Sequence, residues 1–316
     1  FSFVNHADRE KPVEKRENSQ MGQRGLTQSL SREFGRHKIS LNLWGLETER
    51  QLPASLTAHY NEERQYDRNL KSVIQGDFSF NRIQSRFQIG FLHDLLQYEN
   101  GSGVESDIST SEMLANADFT GHISAQWKLR WGTNNSWQRA FASGNYGEWE
   151  NLIRNALYTG VNYRSANEFI EASVLLRYDR FNEYRDALSP SLALKLHPWS
   201  WMDWQFSGSR NYRIPGFNDR FWQPGGNPDL APEDAYQISA GPEFVILDKS
   251  NQFISFSTFG YYNYIDNWIQ WVPQGSFWGA VSYKTVHTSG LNAALRFRSA
   301  WGQFKINSRL NYVLTE

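Results

Sequence analysis

Apolar and polar residues alternate one for one along most of this chain. Ile39, Leu41 and Leu43 are interleaved with Ser40 and Asn42. Ile83, Phe87, Ile89 and Phe91 oppose Gln84, Arg86 and Gln88. Ile170, Ala172, Val174, Leu176 and Tyr178 oppose Glu171, Ser173, Arg177 and Asp179. The same rhythm sets Leu192, Leu194 and Leu196 against Ser191 and Lys195, and Met202, Trp204 and Phe206 against Asp203, Gln205 and Ser207. It continues with Leu291, Ala293, Leu295 and Phe297 against Asn292, Arg296 and Arg298, and with Phe304, Ile306, Leu310 and Tyr312 against Lys305, Asn307, Arg309 and Asn311. A period of two predicts β-strands with two unlike faces.

The breaks in this rhythm alternate between short and long. Short turns are expected near Gly35–Arg36, Asn81–Arg82, Gly121–His122, Arg164–Asn167, Pro198–Ser200, Leu247–Asn251 and Ser299–Gly302. Long loops are expected at Thr48–Arg68, Tyr98–Ser111, Arg139–Glu150, Arg180–Ser189, Asn211–Glu233 and Trp271–Tyr283, and Asn5–Gln23 reads as one more loop cut near its start. Seven short turns make seven hairpins, about 14 antiparallel strands, and an all-β fold. The Asn211–Glu233 segment holds Pro215, Pro224, Pro228, Pro232, Gly216, Gly225 and Gly226, too much Pro and Gly for a regular element, and reads as a long ordered loop.

Alternation by itself fits both a soluble sandwich, apolar inside, and a membrane barrel, apolar outside. Three features favour the barrel. The strands run roughly 10 to 15 residues, against about 5 to 6 in most sheets. The polar face carries Arg296, Arg298, Lys305 and Arg309, which suit a wet lumen. The apolar rows end in Trp and Tyr, as an interfacial belt does. Composition agrees: 16% aromatic residues coexist with a mean hydropathy of −0.63. No apolar run reaches the roughly 20 residues a membrane helix needs. A propeller is the competing architecture for a repeat of this length, but no residue signature recurs with it. The opening Phe1-Ser2-Phe3-Val4 reads as a strand already under way, so the chain is expected to be part of a longer protein.

Candidate chemistry is sparse. There is no cysteine, and the 7 His residues lack metal-ligand spacing, so no metal or cofactor is expected. With 32 basic and 33 acidic residues, the charge does not favour a nucleic-acid partner. No hydrolase, zinc-protease or nucleotide-binding motif is present, and no catalytic residue is assigned. Glu171, Asp179 and Asp203 read as lumenal charges satisfied by water and Arg rather than as a glycosidase pair. Aromatic residues in the predicted loops could hold a bulky ligand: Tyr146, Trp149, Trp222, Phe277 and Trp278. Trp268 and Trp271 read as interfacial belt. Arg213 and Arg220 could meet an anionic ligand, or could brace the loop by pairing with Asp219, Asp229 or Glu233.

The stretch from Tyr212 resembles the barrel signature of TonB-dependent outer-membrane receptors. Tyr212, Arg213, Pro215 and Phe217 match its aromatic-Arg-x-Pro and Phe. Gly226, Asn227, Pro228, Leu230, Pro232 and Glu233 match its Gly-Asn-Pro-x-Leu-x-Pro-Glu, and Gly241 its strand glycine. Ala231 and Ser239 depart from the Lys and Glu common there. A second block resembles the next strand and loop of the same family: Tyr262, Asn263, Ile265, Asp266, Asn267, Trp268 and Ile269, with Trp271, Pro273 and Gly290 following. The nearest flavour is the vitamin B12 and siderophore receptor type.

The resemblance implies a barrel of about 22 strands closed by an N-terminal plug, of which residues 1–316 are a part lacking plug and terminal strands. It implies a bacterial outer-membrane location and import of a scarce, bulky ligand of the cobalamin or ferric-siderophore type. Its partners would be outer-membrane lipid and TonB through the plug region, with a surface lipoprotein as a further candidate. The matched motif itself reads as structural. Two other classes stay open at this point: a passive porin, and a soluble β-rich enzyme or carbohydrate-binding module.

Overall fold

A computed structural model describes residues 18–53, 62–101 and 105–316. The expected loop and strand end within residues 1–17 lie outside the described residues. The described residues form fourteen strands and one short helix: β1 (Met21–Phe34), β2 (His37–Gln51), β3 (Arg64–Phe80), β4 (Ile83–Glu99), β5 (Glu105–His122), β6 (Trp127–Ala142), β7 (Glu150–Arg164), β8 (Ile170–Phe181), β9 (Ala187–Trp199), β10 (Met202–Arg213), α1 (Phe217–Phe221), β11 (Glu233–Lys249), β12 (Gln252–Gln274), β13 (Phe277–Trp301) and β14 (Phe304–Thr315). Each strand is hydrogen-bonded to its neighbours in sequence, in the order β1 to β14. The recorded registers are all antiparallel.

All seven predicted short turns are present, at Gly35–Arg36 and Asn81–Arg82 as expected and within a few residues elsewhere. Gly35 and Gly302 take positive φ there, where glycine is free of the Cβ clash. The long connections differ more from expectation. Among the described residues, only 214–232 form an extended loop with its own helix, and residues 54–61 of the expected Thr48–Arg68 loop lie outside them. Between β4 and β5, and between β8 and β9, the strands continue well into the predicted loops. Trp271–Tyr283 is not a loop at all: β12 and β13 run 23 and 25 residues and meet in a tight turn at Gly275–Ser276. The apolar–polar rhythm gives out there, since Trp271, Pro273 and Trp278 fall on the face of Ser255 and Arg296, and the Trp, Pro and Gly content resembles loop chemistry.

Two units can be distinguished. One comprises Phe1–Gly76, Gln88–Ala115 and Ser136–Leu152; the other comprises Asp77–Phe87, Asn116–Asn135 and Ile153–Glu316. Both are arranged inside-out relative to a soluble protein. In the second unit Leu157, Val174, Leu192 and Ile238 are 64, 52, 52 and 60% exposed, whereas Asp179, Ser255 and Ser257 are buried. The opposite face is a ladder of polar pairs: Arg154 and Arg177 both donate to Asp179, and Arg177 also donates to Asn134. In the first unit Leu26, Leu30 and Ile74 are exposed on one face, and Gln23–Thr48, Ser29–Asn42 and Asn69–Asp94 are hydrogen-bonded on the other. An exposed apolar face opposite a satisfied polar one is the pattern of a barrel wall whose outer solvent is lipid.

Candidate functional site

The second unit's loop end is organised by one cross-strand pair. Arg213, last in β10, stands opposite Glu233, first in β11. Arg213 Nε donates to Glu233 Oε2 at 2.6 Å and its Nη2 donates to Oε1, a two-pronged bond. The backbone N–H of Ile269, in β12, donates to the same Oε1 at 2.9 Å. Burial alone would raise the Glu233 carboxyl, but the Arg213 guanidinium and the Ile269 amide outweigh it and hold it below the usual carboxylate range. The pair therefore closes the neck of the loop and ties it to a third strand.

Between Arg213 and Glu233 each motif residue has a physical task. Pro215 is buried and turns the chain out of β10. The Gly216 amide donates to Asp219 Oδ2 at 2.9 Å, which starts α1. The Gly226 and Asn227 amides then donate back to the carbonyls of Trp222 and Asp219, folding the segment onto the helix. At Gly226 a Cβ would lie 2.6 Å from the Trp222 nitrogen, so only glycine fits. Asn227 Oδ1 accepts from the Asp229 amide across Pro228, an Asx-turn that delivers Leu230 inward. Leu230 is 4% exposed and packs with Ile269, Ala280 and Trp271. The Pro232 carbonyl accepts from Asn267 Nδ2 at 3.4 Å, and Glu233 follows.

The loop lies on one face of the β12–β13 hairpin, and the register identifies that face. Ser255 pairs with Arg296, Asn263 with Thr288, Ile269 with Ser282, Trp271 with Ala280 and Pro273 with Trp278, without a break. All occupy the polar face. The Trp271 indole N–H donates to Asp219 Oδ1 at 2.9 Å, and the Ala280 amide donates to the Gly225 carbonyl at 2.7 Å. Trp271 is thus an anchor for the loop and not, as expected, part of a lipid-facing belt. Trp268 stands opposite Tyr283 on the other face, in the row of Phe256 and Leu295.

The predicted ligand contacts separate into distinct settings. Trp278 is 60% exposed on the loop's face of the hairpin, while Phe277, opposite Gln274, belongs to the other face. Trp222 caps α1 and is partly exposed. Arg220 does not pair with Asp219, Asp229 or Glu233. It reaches the β8–β9 connection, where its Nη1 lies 2.6 Å from Glu183 and its guanidinium sits between the rings of Phe221 and Tyr184, at 4.3 and 5.3 Å. Burial pushes the Tyr184 phenol up to about 12, with Arg220 pulling the other way. In the first unit Tyr146 is buried, and Trp149 is exposed, stacked on Phe141 and covered by Arg139 at 4.8 Å. The partners that sequence reasoning missed are Ile269, Trp271 and Glu183; their pairing is long-range and leaves no local signal. Gly241 has a different reason: a Cβ there would meet the Thr258 carbonyl oxygen at 1.8 Å, so β11 and β12 approach closely only at glycine.

The family model for the TonB dependent receptor-like β-barrel matches residues 16–316. The chain belongs to this family. Among characterised relatives, the vitamin B12 transporter BtuB of Photobacterium profundum is 26% identical over 206 residues, 64% of this chain and 32% of its own length. The BtuB of Vibrio vulnificus is 24% identical over 110 residues, 35% of this chain and 17% of its own length. The chain therefore spans about a third, or less, of the curated relatives it matches. Among solved structures, the copper transporter OprC superposes with a TM-score of 0.75 at 11% identity, over 95% of this chain and 54% of OprC. The FrpB iron transporter of Neisseria meningitidis gives 0.74 at 14%, over 99% of this chain and 55% of FrpB. These two show the fold alone; with the family model, the fourteen described strands are part of a TonB-dependent receptor barrel.

Proposed function

We propose that these strands belong to an outer-membrane receptor that imports a scarce, bulky ligand of the cobalamin or ferric-siderophore type, with energy delivered through TonB. Family membership supports receptor-mediated uptake, and the curated relatives at hand are named vitamin B12 transporters. The observation that carries the reading is the loop of residues 214–232. It is pinned by Glu233 and Trp271 to the polar face of the β12–β13 hairpin, on the same face as Trp278. A pre-ordered loop beside an exposed indole offers rigid contact area at little ordering cost.

The test is uptake by a strain lacking the intact gene, complemented with wild type or Trp278→Ala, using radiolabelled cobalamin and a panel of ferric siderophores. Uptake of one ligand, dependent on TonB and weakened on the order of tenfold in apparent affinity by the substitution, is the expected result. Uptake that persists unchanged without TonB would point instead to a passive diffusion channel.

A further inference from the structure

The first unit carries an unassigned feature on its exposed apolar face, near the loop ends of β1, β2 and β3. Arg24 Nε donates to Glu47 Oε2 at 2.7 Å, and Arg68 Nε donates to Glu47 Oε1 at 3.3 Å. One carboxylate is shared by two guanidinium groups, which leaves a net positive charge. Arg68 is held in place from behind: its Nη2 donates to the Tyr66 hydroxyl at 2.9 Å, and its guanidinium lies 4.9 Å from the Tyr66 ring centroid. The side chain of Arg68 remains 58% exposed, and both arginines have N–H donors beyond those used on Glu47 and Tyr66.

Beside the two arginines opens a groove of about 650 Å³. Leu26, Leu70 and Leu95 line it, and Gly45, opposite Leu26, leaves it open, for a Cβ at Gly45 would meet nothing within 4 Å. Further from the loop ends the same face continues as Leu30 and Leu41, which are cross-strand partners, and as exposed Ile74. A cationic head above an apolar channel, on the face that turns to lipid, is complementary to one class of molecule.

From this juxtaposition we infer that Arg24 and Arg68 bind the phosphate of an anionic outer-leaflet lipid, one acyl chain of which lies in the groove at Gly45. The guanidinium forks match phosphate oxygens, and the Glu47 carboxylate keeps both arginines facing the same point. The inference rests on the reading that this face is in the membrane.

The experiment is native mass spectrometry of the intact receptor, purified in detergent and titrated with phosphatidylglycerol, diacylglycerol or glycerol 3-phosphate. Saturable binding of phosphatidylglycerol is expected, with the tail-only and head-only probes at least about tenfold weaker. Arg24→Gln with Arg68→Gln removes two cations near a lipid surface and should weaken it about thirtyfold. Gly45→Ile fills the groove without changing charge and should also displace the lipid. Equal phosphatidylglycerol binding by wild type and both variants would overturn the proposal, as would equal binding of glycerol 3-phosphate, which would mark an adventitious anion site. Recovery of the wild-type receptor in the soluble fraction without detergent would instead remove the membrane reading beneath it.

Discussion

Two Arg–Glu clusters stand at the loop ends of this chain, and they do opposite things. At the neck of the 214–232 loop, Glu233 has an 11% exposed side chain and takes two bonds from Arg213 and one from the Ile269 amide. Both carboxylate oxygens are engaged inside the protein. On the apolar face of the first unit, Glu47 is 21% exposed and spends one oxygen on each of two arginines that keep further N–H donors. The ratio of cation to carboxylate and the presence of a buried backbone donor decide the outcome. One cation, one carboxylate and an amide make a closed brace; two cations around one carboxylate leave charge to offer. Buried pairs punish the loss of one partner, whereas exposed pairs contribute little to stability.

The contrast can be broken most directly at Glu233. Glu233→Ala leaves the Ile269 N–H without its acceptor, a loss of about 2 kcal/mol, which should speed exchange of that amide about thirtyfold by hydrogen–deuterium exchange. An unchanged rate would show that the loop is held by Trp271 and Leu230 alone. Acid should act on the same bond more gradually. The folded Glu233 carboxyl titrates below its ordinary 4.5, so its stabilisation is complete above that pH and is lost as the pH falls through the depressed value. Tryptophan fluorescence should therefore be flat from neutral pH to about 4.5 and change below it, and Glu233→Gln should abolish that acid step.

Trp271→Phe keeps the ring but removes the indole N–H donated to Asp219, at about 1 kcal/mol. Limited proteolysis within residues 214–232 should accelerate several-fold, with the barrel itself intact. The smallest stability effect belongs to the other cluster. Glu47→Gln should leave thermal stability nearly unchanged while tightening phosphatidylglycerol binding, because the carboxylate that competes for both arginines is gone. Weaker binding would show that Glu47 is needed chiefly to position them.

Much of this architecture is legible in the sequence because strand faces repeat every two residues. Ile39–Leu43 and Leu291–Phe297 announce their faces locally, and Gly35 and Asn81–Arg82 mark their turns. The loop motif is also readable, since Pro215, Asn227, Pro228 and Gly226 act on their own backbone neighbourhoods. What resists reading is partner choice across the sheet. Trp271 looks the same in a lipid-facing belt as in an anchor, and only the β12–β13 register, with Ala280 opposite, assigns its face. Arg220 reaches Glu183 in a different connection, a pairing that no spacing encodes. The Arg24–Glu47–Arg68 cluster joins three strands and is invisible as a motif for the same reason.

The closed neck at Arg213 and Glu233 has a consequence for inheritance. Because the two strands meet in fixed register at that pair, the intervening segment is insulated from the wall below, and its length and wording can drift without disturbing a single rung of the sheet. Its freedom is not complete, however: Asp219 and Gly225 are fastened to Trp271 and Ala280 on the neighbouring hairpin. Loop and hairpin therefore form one exchangeable cassette, and a graft that moves either without the other carries half of a lock.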